Sequence, residues 1–113
     1  TMIDGLLSDY RKFAASHGSE TLQGNSRKAS RAYDRLHKTL HKIIDLGEDR
    51  ALLTLFDDEE ASVQLWAAAH SLEIDAKEAI AKLKSLERTE TSIIGMNARY
   101  TIREWENGNL SFR

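Results

Sequence analysis

Four histidines and a run of basic residues are the groups in this chain with the richest chemistry. His37 and His41 are four residues apart, so on a helix both rings fall on one side, as a pair of metal ligands would. No Glu adjoins either histidine and no third ligand stands nearby, so the zincin pattern is missing and no metal site is assigned. His70, one turn after Trp66, suits a packed or hydrogen-bonded histidine better than a general base. The chain has no cysteine, which excludes a disulfide framework and any thiolate chemistry. No Ser–His–Asp set, phosphate-cradling glycine loop or paired carboxylates can be picked out. The residues therefore point away from an enzyme, and no cofactor is expected.

The basic run is different. Arg27, Arg31, Arg35, Lys38 and Lys42 lie within about 80° of one another on a helical wheel, and Lys28 extends the stripe. Residues 26–47 carry six basic residues against Asp34 and Asp45, a balance of +4. Residues 48–60 reverse it to −5. Such a stripe suits an acidic partner or nucleic acid. It equally suits a solvated helix face answering the acidic segment beside it. The whole chain carries −2, which by itself names no partner.

These residues need helices to position them. With 113 residues the chain is one domain, 1–113, large enough for a real core. It has no proline and no strand pattern. Ile3, Leu6, Leu7, Tyr10, Phe13 and Ala14 predict an amphipathic helix over 3–16, ended by His17-Gly18. Thr1, ahead of Met2, is set aside as an appended residue. Residues 18–25 read as a loop, with Leu22 available to pin it to the core. Asn25 or Ser26 caps a second helix running to Gly47, with Ala29, Ala32, Tyr33, Leu36, Leu40, Ile43 and Ile44 on its apolar side.

The stretch Leu52–Leu72 organises the remainder. Leu52, Leu53, Leu55 and Phe56 form a short apolar helix. Asp57-Asp58 forms an acidic corner and a new N-cap. The helix that follows is apolar on two sides: Leu65, Ala68, Ala69 and Leu72 on one, Val63, Trp66 and Ala67 on the other, with His70 beside them. Such a helix is sandwiched between neighbours. A shift of thirty residues places Leu53 on Leu83, Phe56 on Leu86, Val63 on Ile93, Trp66 on Met96, Ala68 on Ala98 and Leu72 on Ile102. Asp75 caps the next helix, and Thr89 or Thr91 opens the last, which stops at Gly108. Gly95 inside it is a close-packing point or a weakness. Leu110 and Phe112 are placed to fold back as a plug.

The pattern Leu53…Phe56-Asp57-Asp58…Val63-x-Leu65-x-Ala67-Ala68-x-x-x-Leu72 resembles a HEAT-type repeat, the two-helix unit of α-solenoids. Residues Ala32–His37, Val63–His70, Asn97–Arg99 and Arg103–Trp105 are similar to a family of short bacterial HEAT-like domains of unknown function. The resemblance implies an all-α, right-handed α-α superhelix (HEAT/armadillo-like) of five to six helices without β-strands. It divides the chain into an N-terminal cap at 1–47, repeats at 48–73 and 74–108, and a tail at 109–113. It implies no catalytic residues. By analogy with solenoids, whose second helices line the concave binding face, Trp66, His70, Asn97, Arg99, Tyr100 and Arg103 are the expected partner-binding residues, with Gln64, Ala67 and Ser71 near them.

The expected function is a non-enzymatic protein-binding module, with another protein or a second copy as partner. A nucleic-acid-associated protein using Arg27, Arg31, Arg35, Lys38 and Lys42 is the alternative. No run of residues is apolar enough to span a membrane and no signal-peptide pattern opens the chain, so a cytoplasmic location is expected.

Overall fold

In a computed structural model the chain is all-helical, and the structure describes residues 1–112. The elements are α1 (Met2–Leu22), α2 (Ser26–Asp45), a 3₁₀ segment (Asp49–Asp57), α3 (Ala61–His70), α4 (Ala76–Thr89) and α5 (Ile93–Glu106). No strand occurs among the described residues. The chain forms two compact units, Thr1–Ala51 and Leu52–Arg113.

The first unit is a helical hairpin in which α1 and α2 pack on each other. Tyr10 and Ala14 are buried on α1; Ala29, Ala32, Leu36, Thr39, Leu40 and Ile43 are buried on α2. The buried Thr39 hydroxyl is satisfied locally, donating to the Arg35 carbonyl at 2.9 Å. The expected end of α1 at His17-Gly18 is corrected. A glycine with ordinary helical φ does not stop a helix, and α1 continues to Leu22. The stop comes at Gly24, whose φ of 78° only glycine adopts freely, and the Asn25 amide then reaches back to the Glu20 carbonyl at 2.9 Å. The loop expected over 18–25 shrinks to a tight turn. Leu22 points outward and pins nothing. Thr1 is not idle: its hydroxyl accepts from the Asp4 amide and donates to the Asp4 carboxylate, a capping box on α1.

The second unit is built on α4, which packs against both α3 and α5. Leu65, Ala68 and Leu72 meet Ala79, Leu83 and Leu86 of α4 and Ala98 and Ile102 of α5 in one core cluster. Phe56, Ile80, Ile94, Trp105 and Leu110 pack against its edge. The run Leu52–Phe56 is 3₁₀, not α-helical. The tighter i→i+3 bonds of this nine-residue segment suit a short connector between helices. Cap positions also shift. Glu60, not Asp57 or Asp58, is the N-cap of α3, and Asp58 instead accepts from the Glu60 amide at 3.0 Å. Asp75 caps α4 as expected, accepting from the Glu78 amide at 3.2 Å. Ser92, not Thr89 or Thr91, caps α5, accepting from the Ile94 amide. Gly95 is buried, and a Cβ there would lie 2.0 Å from the Glu90 carbonyl oxygen, so this glycine is a close-packing point. After Gly108 the tail turns back: Leu110 lies on the core cluster and Phe112 on α3.

Candidate functional site

The expected partner-binding residues divide into two groups. On α3, His70 is only 3% exposed. Its ring stacks on Trp66 at 5.3 Å between centroids, and the edge-on ring of Phe112 closes over it at 4.6 Å. Ala67 and Ser71 are fully buried, and the Ser71 hydroxyl finds no hydrogen-bond partner among the described residues. Gln64 is half-buried and donates to the Asp58 carbonyl. Trp66 is half-buried. Ala67, His70 and Ser71 of the expected groove are therefore interior, and Gln64 and Trp66 keep only part of their surface exposed.

On α5 the expected residues are at the surface. Asn97, Arg99, Tyr100 and Arg103 are all exposed. Arg99 approaches Glu87 of α4 at 4.0 Å, a loose and exposed pair of small energetic weight. Sequence reasoning missed two neighbours. Ile93 is 38% exposed and Met96 71% exposed, and both join Tyr100, at 60%, on one side of α5. The i, i+3, i+7 spacing of Ile93, Met96 and Tyr100 makes a continuous apolar stripe, with Asn97 on one flank and Arg103 on the other. Their counterparts in the thirty-residue offset had marked Ile93 and Met96 as core positions, which concealed them.

That offset gives the stripe its meaning. Ala68 and Ala98 are both buried, as are Leu72 and Ile102, and Leu65 and Gly95. On the side that faces α4 the offset preserves burial. On the other side it does not. Val63 and His70, buried on α3, correspond to Ile93 and Tyr100, exposed on α5; half-buried Trp66 corresponds to Met96.

The rival surface is on α2. Arg27, Lys28, Arg31, Arg35, Lys38 and Lys42 are all exposed, and none forms an ion pair among the described residues. On the other flank of the hairpin an open cleft of about 430 Å³ is lined by His17, Thr21, Gly24, Ser26, Ala29, Ser30, Tyr33 and Asp34. There the Tyr33 ring lies 4.1 Å from His37 and 6.2 Å from His17. Burial lowers the pKa of His17, and the neighbouring His37 adds to it. Burial also lowers that of His37, against a hydrogen bond from its ring to the Tyr33 carbonyl at 2.8 Å. Both rings are thus held toward the neutral form. His41 is exposed. No cluster of three or more His, Cys, Asp or Glu suited to a metal occurs among the described residues. Among them no helix is long and apolar enough to cross a membrane.

No protein-family model matches the chain, and no curated protein and no solved structure matches it.

Proposed function

We propose that this chain is a non-enzymatic protein-binding module, built as a short HEAT-like stack, whose partner docks on the open side of α5. One observation carries the reading. The side of the helix that α3 covers at Val63 and His70 lies uncovered on α5 at Ile93 and Tyr100, with Met96 between them. A helix with apolar residues on both sides is made to be covered on both. Tyr100 and Arg103 are residue types enriched at binding hot spots, and Met96 supplies an adaptable side chain.

The test is affinity capture with the wild-type chain and two variants as baits, in nuclease-treated lysate. Tyr100→Ala with Arg103→Ala is expected to weaken capture of the partner by about 1 kcal/mol or more. Arg31→Glu with Arg35→Glu is expected to leave it intact. Sedimentation of the purified chain separates a foreign partner from a second copy. Retention by the α5 variant, or loss through the α2 variant, would sink the proposal.

A further inference from the structure

The first unit has its own charge. Residues 1–51 hold nine basic and seven acidic residues, a balance of +2, whereas residues 52–113 hold seven and eleven, a balance of −4. Within the first unit the cations are concentrated. Arg27, Arg31, Arg35, Lys38 and Lys42 succeed one another every three or four residues along the outer face of α2, covering about 22 Å of helix axis at 1.5 Å per residue. The opposite face is buried at Ala32, Leu36 and Ile43, so the stripe is turned toward solvent.

Beside the stripe, α1 adds a second feature. A cleft of about 200 Å³ opens between α1 and α2, lined by Lys12, Phe13, Ser16, Glu20, Lys28, Arg31, Ala32 and Arg35. Four of these eight side chains are cationic. The one carboxylate, Glu20, accepts from the Asn25 side-chain amide at 2.8 Å. Phe13 is half-buried in this cleft, and the Lys12 ammonium lies 6.0 Å from its ring centre. Asp34 flanks the stripe without an ion pair to it among the described residues.

A ladder of unpaired cations along a helix, next to a cleft that holds an aromatic ring among further cations, is the combination single-stranded nucleic acid requires. The cations track phosphates, and the half-buried Phe13 ring that lines the cleft offers an aromatic surface for an unpaired base. An acidic protein or an anionic membrane would use the cations but has no base to place on the ring. A duplex keeps its bases stacked away from it. We propose that the outer face of α2, with Lys12 and Phe13 of α1, binds single-stranded nucleic acid. This proposal uses none of the α5 residues, and its test does not depend on theirs.

The experiment is fluorescence anisotropy of the full chain with a labelled mixed-sequence single strand of about 12 nucleotides. Five phosphate contacts predict a log–log salt slope of about −3.5, hence roughly a hundred-fold loss of affinity between about 50 and 200 mM salt. Arg31→Glu with Arg35→Glu is expected to weaken binding at least ten-fold and to reduce the slope by about 1.4. Phe13→Leu, which keeps an apolar side chain, is expected to weaken it several-fold with the slope unchanged. Lys77→Glu with Lys84→Glu on α4, the same change in net charge elsewhere, is expected to have little effect. Circular dichroism melts confirm that each variant is folded. Absence of binding at the lower salt would overturn the proposal. So would equal loss through the α4 pair, an unaltered affinity in Phe13→Leu, or equal binding of duplex, polyglutamate or phosphatidylserine vesicles.

Discussion

At Gly95 the surrounding backbone leaves no room for a side chain. Its missing side chain lets the start of α5 lie against the Glu90 carbonyl, and the atom that a Cβ would meet is main chain rather than a side chain that could swing aside. In an exposed helix Gly→Ala stabilises, by up to about 1 kcal/mol. Here the sign reverses, and Gly95→Ala is expected to destabilise the chain by about 1–3 kcal/mol in urea denaturation, the usual cost of overpacking. A gain in stability would mean that the segment before α5 moves aside easily. The sequence marked Gly95 as either a packing point or a weakness, and only the position of Glu90 decides between them. Caps were legible to the same limited degree. Asp75 stood alone as a cap candidate and was identified. In Thr89–Ser92 three hydroxyl residues compete within four positions, and it is Ser92 that caps the helix.

At the scale of the element, α2 was the most legible part of the chain. Its apolar and basic residues separate by angle, and of the expected apolar side Ala29, Ala32, Leu36, Leu40 and Ile43 are buried, whereas Ile44 is half-buried and Tyr33, at the edge of that side, is 42% exposed. The length of α1 was not legible, because Gly18 imitates a stop whereas the residue that adopts the left-handed conformation is Gly24. Where the two helices meet, the His17–Tyr33–His37 array sets a pH dependence. Burial lowers both histidine pKa values below the ordinary 6.5, so the unfolded chain binds more protons than the folded one as the pH falls through and below that value. The stability these groups contribute is complete above about pH 6.5 and is lost as the pH falls through their lowered folded values. Urea denaturation at about pH 7.5 and about pH 5 should show a smaller acid-induced loss in His17→Gln with His37→Gln than in the wild type. An unchanged loss would place the acid sensitivity elsewhere.

At the scale of the whole molecule, each unit rests on leucines with no solvent exposure to spare. Leu36 in the first and Leu72 in the second are essentially buried. Truncating either to Ala is expected to cost about 2–5 kcal/mol, read from denaturant melts; a loss below about half a kcal/mol would contradict the packing. The all-helical class and most element positions followed from periodicity and the absence of proline. The site was legible only in part. Asn97, Arg99, Tyr100 and Arg103 emerged at the surface, but His70 did not, because an analogy with solenoid grooves assigns a side without saying whether something covers it. The thirty-residue offset conserves the burial of one side only, and periodicity cannot tell an apolar position that the fold covers from one that it leaves exposed.

The folded-back tail has an optical consequence. Phe112 sits edge-on to His70 at 4.6 Å and to Trp66 at 6.4 Å, and the indole is stacked on the imidazole. Trp66 therefore carries an intrinsic chromophore whose surroundings change whenever Phe112 lifts away. Water reaching its indole shifts emission to longer wavelength, and Trp105, lying at the edge of the core cluster beside α4, offers a second signal within the same unit. Without any label, the chain's own fluorescence reports whether Phe112 is seated.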